Sequence, residues 1–388
     1  MNRKQFLILL VLVVVLGAGS LAVYQRNSHS WHNAGDAAAG GKLMPNLALN
    51  DIAQVVIKAG TNEVDLARVN NVWAVRQRGN YPADFSRLSG LLMKLADLKV
   101  TQTEDVGPSQ LGRFELLPPG PASGTATSIE FKDENGKALG SLLLGKKHIK
   151  KPAAGAPSPM GGMDDQGWPD GRYVMTDAKT VALISDPLED VQTGPEQWLN
   201  KEFLSVEKPR SISVKFPQAT NSWTLTRTND TADWQLADAK AGEKLDSSKI
   251  SSVTAPFASA SFDDVAAASA PATGSNTVLT VETFDGFSYV STIEPKQDDG
   301  YPVRFAISAN FPAARVAAKD EKPDDKAKLD KDFQAQQKTL ADKLAKESAY
   351  TNWVYRMPAY SVDELLKTRQ QLLQEPETNS VAAATAQK

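Results

Sequence analysis

Cysteine is missing from all 388 residues. That excludes disulfides, thiolate catalysis, iron–sulfur clusters and cysteine-type zinc sites. Histidine is scarce, with three copies, so a histidine-rich metal site is excluded too. Neither sign of charge dominates: 43 Lys plus Arg face 46 Asp plus Glu. A nucleic-acid binder would carry a basic excess or stripe. The sequence holds no Gly-x-Ser-x-Gly elbow and no His-Glu-x-x-His segment, which are the signatures of two large hydrolase classes. A Ser–His–Asp triad would have to use His148, and Ser–Lys chemistry is left open by the abundance of both residues.

Long hydrophobic runs are also rare, but one stands out. Phe6 to Val23 carries no charge over 18 residues, at the lower end of what crosses a bilayer. Arg3 and Lys4 precede it, and a positive flank on that side favours a cytoplasmic N-terminus with the bulk of the chain translocated. The expectation is a signal anchor at 6–23 in a bacterial inner membrane, with the C-terminal bulk on the periplasmic or extracellular side. A cleaved signal peptide is the alternative, since Ser20-Leu21-Ala22 ends in small residues. Residues 1–5 would be cytoplasmic, and 24–44, rich in Gly, Ala, Ser and Asn, would be a flexible tether.

From residue 45 the pattern alternates. Ile52 to Ile57, Val64 to Val69 and Val72 to Val75 predict three strands, the last two joined by a tight turn at Asn70-Asn71. Asp84 is placed to cap a helix whose Leu88, Leu91, Leu92, Leu95 and Leu98 recur at helical spacing. The same pattern returns 161 to 162 residues later. Ile212 to Phe216 and Trp223 to Leu225 are its strands, Trp234 matches Trp73, and Asp246 caps Ile250, Val253 and Phe257. Both tryptophans are expected in the core under the helices. Hairpins follow in both halves, turning at Asn135-Gly136 and at Asp285-Gly286. Tyr173 to Met175 is then matched with Tyr355 to Met357, at an offset of 182.

The expected fold class is α+β. After the N-terminal transmembrane helix come two tandem repeats of a mostly antiparallel sheet with one main helix each. The first spans 45–190 with an insertion loop at 150–168, 191–208 is a packed linker, and the second spans 209–373. A long charged helix is inserted in the second at about 312–350, with Leu329, Phe333, Gln336, Leu340 and Leu344 on one face. A short last helix is expected over Val362–Leu373, and 374–388 is an Ala/Thr/Gln-rich tail expected to be disordered.

The anchor, the opening KLMPNLALNDIAQVVIKAG, the block VWAVRQRGNYPADFSRLSGLLMKLADLKV, the joint around EQWLNKEFLSV and the ending WVYRMPAYSVDELLKTRQQLL resemble bacterial envelope proteins of the domain of unknown function family 4340. The resemblance runs from about residue 45 to 373. It implies an accessory component of an ABC-type export or gliding-motility-like system, beside a permease and an ATPase. It implies no catalytic residues.

Gly140 to Lys147 nearly matches a phosphate-binding loop, but Lys147 stands where Ser or Thr should bind magnesium, and three leucines fill the loop. The segment reads as a strand. His29 and His32 share helical spacing in a Gly/Ala/Ser-rich tether that offers no third ligand, and Trp31 between them suits a membrane interface. The acidic pairs Asp164-Asp165, Asp263-Asp264 and Asp298-Asp299 lack calcium-loop spacing. Lys146, Lys147, His148, Lys150 and Lys151 form the strongest local patch, read first as an exposed loop kept soluble by its charge and otherwise as a binder of an acidic surface such as anionic lipid or a polyanionic glycan. Trp168, Tyr301, Trp353 and Tyr360 are candidates for stacking on an envelope glycan, the alternative to a protein partner such as an ABC permease. The expected function is therefore non-catalytic, with no cofactor and no metal. An uncharacterised hydrolase is the third reading.

Overall fold

The computed structural model describes residues 39–122, 124–150, 167–176, 180–268, 271–272, 274–317 and 321–375. The predicted anchor at 6–23, the imidazoles of His29 and His32, Lys151 and the Asp164-Asp165 pair lie outside the described residues, as does the tail beyond Glu375. Among the described residues, no helix is long and apolar enough to cross a membrane. The chain divides into two compact units, one ending at Trp198 and one beginning at Leu199.

Among its described residues, the first unit is built on nine antiparallel strands. They are β1 (Gln54–Ala59), β2 (Asn62–Val69), β3 (Val72–Val75), β4 (Tyr81–Pro82), β5 (Val100–Glu104), β6 (Thr127–Lys132), β7 (Ala138–Lys150), β8 (Trp168–Thr176) and β9 (Val181–Ile184), with α1 (Phe85–Asp97) between β4 and β5. Their order across the sheet is β4-β3-β2-β1-β6-β7-β8-β9-β5. Asn70 and Asn71 both take positive φ, as a two-residue turn matched to strand twist requires. Register then lines up Val55 with Leu66 and Phe131, and Ile57 with Val64 and Ile129. Those residues and Leu88, Leu91, Leu92 and Leu95 of α1 are buried in one core. The Asp84 carboxylate caps α1 by accepting the Arg87 N–H at 3.0 Å.

Among its described residues, the second unit holds eight antiparallel strands. They are β10 (Pro209–Lys215), β11 (Trp223–Thr226), β12 (Gln235–Leu236), β13 (Asp264–Ala267), β14 (Thr277–Thr283), β15 (Phe287–Ile293), β16 (Gly300–Ala309) and β17 (Trp353–Pro358). Three helices accompany them: α2 (Ser247–Ile250), α3 (Pro323–Ser348) and α4 (Ala359–Val362). The order is β12-β11-β10-β14-β15-β16-β17-β13. Counted from its own first strand, this is the order of the first sheet without β4. Phe203 anchors the core, with Tyr355 at 4.6 Å, Phe262 at 5.0 Å and Phe305 at 5.6 Å between ring centres.

Several expectations need correction. Position in the sheet pairs β8 with β16 and β9 with β17. The match of Tyr173–Met175 with Tyr355–Met357 was therefore displaced by one strand. The long helix lies between β16 and β17, whereas residues 151–167 lie between β7 and β8, so the two insertions occupy different places. The expected helix from Asp246 ends at Ile250 and continues as turns. Pro256 cannot donate a helical hydrogen bond and disfavours the helical conformation at Ala255, and Phe257 takes a φ of 58°. Ile250, Val253 and Phe257 are buried all the same. The range 362–373 is not one helix: Val362 ends α4, and two 3-10 turns follow, Asp363–Leu366 and Arg369–Leu372. Along α3 the half-buried side is Phe333, Gln337, Leu340 and Leu344, ending in buried Glu347, while Leu329 and Gln336 are exposed.

Trp73 is buried, as expected, but Trp234 is only half-buried. In both units an arginine lies over the tryptophan: Arg68 over Trp73 at 5.6 Å, and Arg227 over Trp234 at 4.8 Å. Each arginine also donates to a carbonyl just before or at the start of the first strand, Arg68 to Ile52 O at 3.1 Å and Arg227 to Pro209 O at 2.7 Å. A C-terminal strap closes each unit on its capping aspartate. Asp84 N donates to Trp198 O at 2.7 Å, and Asp246 N to Leu372 O at 2.9 Å. The presumed linker is thus strap in its first part, and its second part supplies Phe203 to the other core.

Candidate functional site

In the first unit, a run of basic residues and their acidic partners gathers on β7. The strand starts at exposed Ala138, passes through the core at Leu142 and Leu144, and emerges again past Gly145. This is the segment that resembles a phosphate loop. Its backbone groups pair instead with β6 and β8, from Thr127 opposite Leu144 to Leu144 opposite Val174. The basic run is likewise strand and not loop: Lys147 pairs with Arg172, His148 with Gly171 and Lys150 with Trp168. Register breaks at Leu144/Lys147 and at His148/Ile149, and such bulges re-aim side chains at the edge of a ladder.

A 3-10 segment, Pro108–Phe114, crosses the strand at Gly145. A Cβ on Gly145 would lie 2.2 Å from Phe114 O and 2.8 Å from the Leu116 side chain. Only glycine permits that approach. The crossing delivers Arg113 and Phe114 beside the basic run. Together with Lys146, Lys147, His148, Ile149 and Tyr173 they line a cleft of about 380 Å³. Phe114 meets Tyr173 edge-on at 4.9 Å, and His148 lies 6.2 Å from the same ring.

Two basic residues of the cleft already have acidic partners. Lys147 Nζ is 2.7 Å from Glu189, and His148 Nδ1 is 2.6 Å from Asp170. The carboxylate can only accept, so Nδ1 carries the proton and Nε2 is left as the ring's second nitrogen. Beneath them, the Arg172 Nε donates to Gly145 O at 2.8 Å. Burial lowers the pKa of this guanidinium, and Glu115 and Glu189 oppose the shift. Arg113, Lys146 and Lys150 have no acidic partner among the described residues. The arrangement suits an anionic ligand held against an aromatic wall. His148 and Asp170 form the orienting half of a triad, but among the described residues no hydroxyl bonds the imidazole.

The four aromatic candidates are divided between the units, Trp168 in the first and the other three in the second. Trp168 sits at the end of β8 in the first unit and is 45% exposed. Tyr301 is buried, which overturns its reading as an exposed stacking residue. Its hydroxyl donates to Asp363 at 2.5 Å, and burial, with that carboxylate second, pushes the phenol up to about 12. Trp353 is half-buried at one end of β17, and Tyr360, 76% exposed, follows the other end. The second unit does bring Asp264 and Asp298 to one depression of about 400 Å³. Arg304 and Arg356 accompany them, the first paired with Glu294 at 3.0 Å and the second 4.0 Å from Asp298. Among the described residues no group of three or more His, Asp or Glu is placed to hold a metal.

Arg113, Phe114, Asp170 and Tyr173 were not legible as site residues. Asp170 had one local signal, its place on the strand returning opposite His148. No family model matches the chain, and no curated protein and no solved structure is significantly similar to it.

Proposed function

We propose that this chain is a membrane-anchored, non-catalytic envelope protein whose two units are copies of one α+β module. The first module would bind an anionic face of a protein partner, in keeping with an accessory role beside an ABC permease and ATPase. The observation that carries the binding reading is the cleft where Arg113 and Lys146 stand without acidic partners among the described residues beside Phe114 and Tyr173. The duplication is supported by the shared strand order, the repeated arginine–tryptophan pair and the repeated strap onto a capping aspartate. The anchor is supported by the uncharged run 6–23, and the ABC association by the resemblance to the domain of unknown function family 4340. Glycan stacking is the weaker reading, because Tyr301 is buried and, within the second unit, Trp353 and Tyr360 stand at opposite ends of β17.

The test is affinity purification of the full-length protein from its native membranes in mild detergent, with mass spectrometry of what accompanies it. Wild type should bring a permease and an ATPase, and the Arg113→Glu/Lys146→Glu variant should lose them. Intact, folded protein recovered alone from wild-type membranes would overturn the accessory reading and direct attention to cell-wall polymers.

A further inference from the structure

We propose that the end of the first unit where the β2–β3 turn meets the β6–β7 turn is a binding site for a neutral glycan, held by hydrogen bonds rather than by stacking. The site goes beyond the cleft described above, which lies at the other end of β7. The run of β7 from Ala138 to His148 separates the two, roughly 33 Å at about 3.3 Å per residue.

Two tight turns build the site. Asn70 and Asn71 take positive φ in the first turn, and Gly136 does so in the second. Asparagine suits such positions through its backbone, and its carboxamide is then left over. Among the described residues, the carboxamides of Asn70, Asn71 and Asn135 bond to no protein group. With Arg68, Arg76 and Glu134 they line a pocket of about 590 Å³. That is within the roughly 300–1,000 Å³ of small-molecule sites.

The second unit shows the same place closed. Its Arg227 is the counterpart of Arg68, each lying over a tryptophan. All three nitrogens of Arg227 are engaged: Nε by Pro209 O at 2.7 Å, Nη1 by Asp230 O and Nη2 by the Asp230 carboxylate at 2.6 Å. The connection 227–234 between β11 and β12 supplies Asp230. In the first unit a two-residue turn stands in its place. Arg68 Nη2 donates to Ile52 O at 3.1 Å, but Nη1 stops 3.7 Å from Glu134, whose side chain is 74% exposed. Arg76 likewise stops 3.7 Å from Asp65. Both guanidinium groups therefore keep N–H groups for a ligand.

The lining decides the ligand's chemistry. Among the described residues its apolar members are Ala53 and Ala67, both buried, and no aromatic ring belongs to it. An apolar ligand finds no surface there. Arg68 and Arg76 are countered by Asp133 and Glu134, so a strongly charged ligand of either sign meets as much repulsion as attraction. Asp133 is already committed, accepting from Asn135 N and Lys137 N at 2.9 Å each and so holding the turn that carries Asn135. What the pocket offers is donors and acceptors side by side, since each carboxamide presents both. The hydroxyls of a sugar ring each donate and accept as well, and a run of them answers this lining.

The test uses the full-length protein in phospholipid nanodiscs, which avoids sugar detergents. Saturation-transfer NMR and calorimetry are run with chitotetraose and maltotetraose as neutral chains, tetragalacturonate as an acidic chain and tetra-alanine as a peptide. At least one neutral chain should receive saturation and bind, and the acidic chain and the peptide should bind about tenfold more weakly or worse. Asn71→Gly keeps the positive-φ turn and removes one carboxamide, and Arg76→Gln removes a guanidinium. Each should weaken the neutral chain about fivefold, the effect of one lost hydrogen bond. If one variant melts early, the other decides. No saturation of either neutral chain at millimolar concentration overturns the proposal. So does binding that the folded variants leave unchanged, and so does a preference for tetragalacturonate or tetra-alanine. None of these results touches the partner-binding cleft, whose own test is the membrane purification.

Discussion

The guanidinium of Arg227 lies 4.8 Å from the ring centre of Trp234 while its Nε donates to Pro209 O at 2.7 Å. One side chain thereby ties the β11–β12 side of the second unit to the start of β10. A second ring, Phe284, lies 5.7 Å from the same group. Arg227→Met keeps much of the stem and removes the cation–π contact, the hydrogen bond to Pro209 O and the contacts to Asp230. The expected loss is about 1–3 kcal/mol, read by urea denaturation together with a change in tryptophan emission. Stability within experimental error of wild type would show that the pair carries no weight.

Gly145 and Gly194 make a contrasting pair. Alanine at 145 must push backbone, Phe114 O, and should cost roughly 1–3 kcal/mol while spoiling the cleft. Alanine at 194 meets only the Glu196 side chain, at 2.1 Å, which can swing away. Gly194→Ala should change stability by less than about 1 kcal/mol. Thermal melts of both variants settle the comparison, and equal losses would refute it.

Helix α3 is fastened by a buried polar contact. The Tyr289 hydroxyl donates to Glu347 at 2.7 Å, and both side chains are buried. Burial first, and the Glu347 carboxylate second, hold the phenol's pKa above its ordinary value. The carboxylate's other contacts are longer, Ser205 N at 3.4 Å and Lys343 Nζ at 3.9 Å. Tyr289→Phe therefore leaves a buried acceptor short of its best donor and should cost about 2 kcal/mol. Hydrogen exchange should speed up along α3. Unchanged exchange there would mean that apolar contacts alone hold the helix.

Arg369 clamps the C-terminal strap of the second unit by donating to Glu243 at 2.7 Å and to Asp238 at 2.8 Å. The Arg369 hydrogen bond is the main reason the Glu243 carboxyl is held down to about 2, from an ordinary 4.5. A folded-state pKa below the unfolded one means the stabilisation is fully present above about 4.5 and is lost as pH falls towards 2. Glu243→Gln should remove that component. Stability measured from pH 6 to 2.5 should fall less steeply in the variant, and parallel curves would contradict the clamp.

Much of the fold was written in neighbouring residues. Asp84 and Asp246 were read as caps and act as caps, because capping joins groups two or three residues apart. The turns at Asn70-Asn71 and Asn135-Gly136 were legible for the same reason. The second helix misled, since Ile250, Val253 and Phe257 keep helical spacing and stay buried although Pro256 breaks the helix. Tyr301 misled because exposure depends on what packs against a strand, and Asp363 arrives from 62 residues away.

The sequence by itself determined the local alphabet of this protein: an uncharged run of membrane length, no thiol chemistry, alternating strands, tight turns and capped helix starts. Each depends on contacts within a few residues, where pattern and geometry coincide. Tertiary structure decided which strand answers to which between the two sheets, where the insertions fall, and that Arg113 and Phe114 meet the basic strand at Gly145. These are matters of register and crossing between segments far apart in the chain. They are settled by which apolar faces can be buried together, and no short window of residues carries that information.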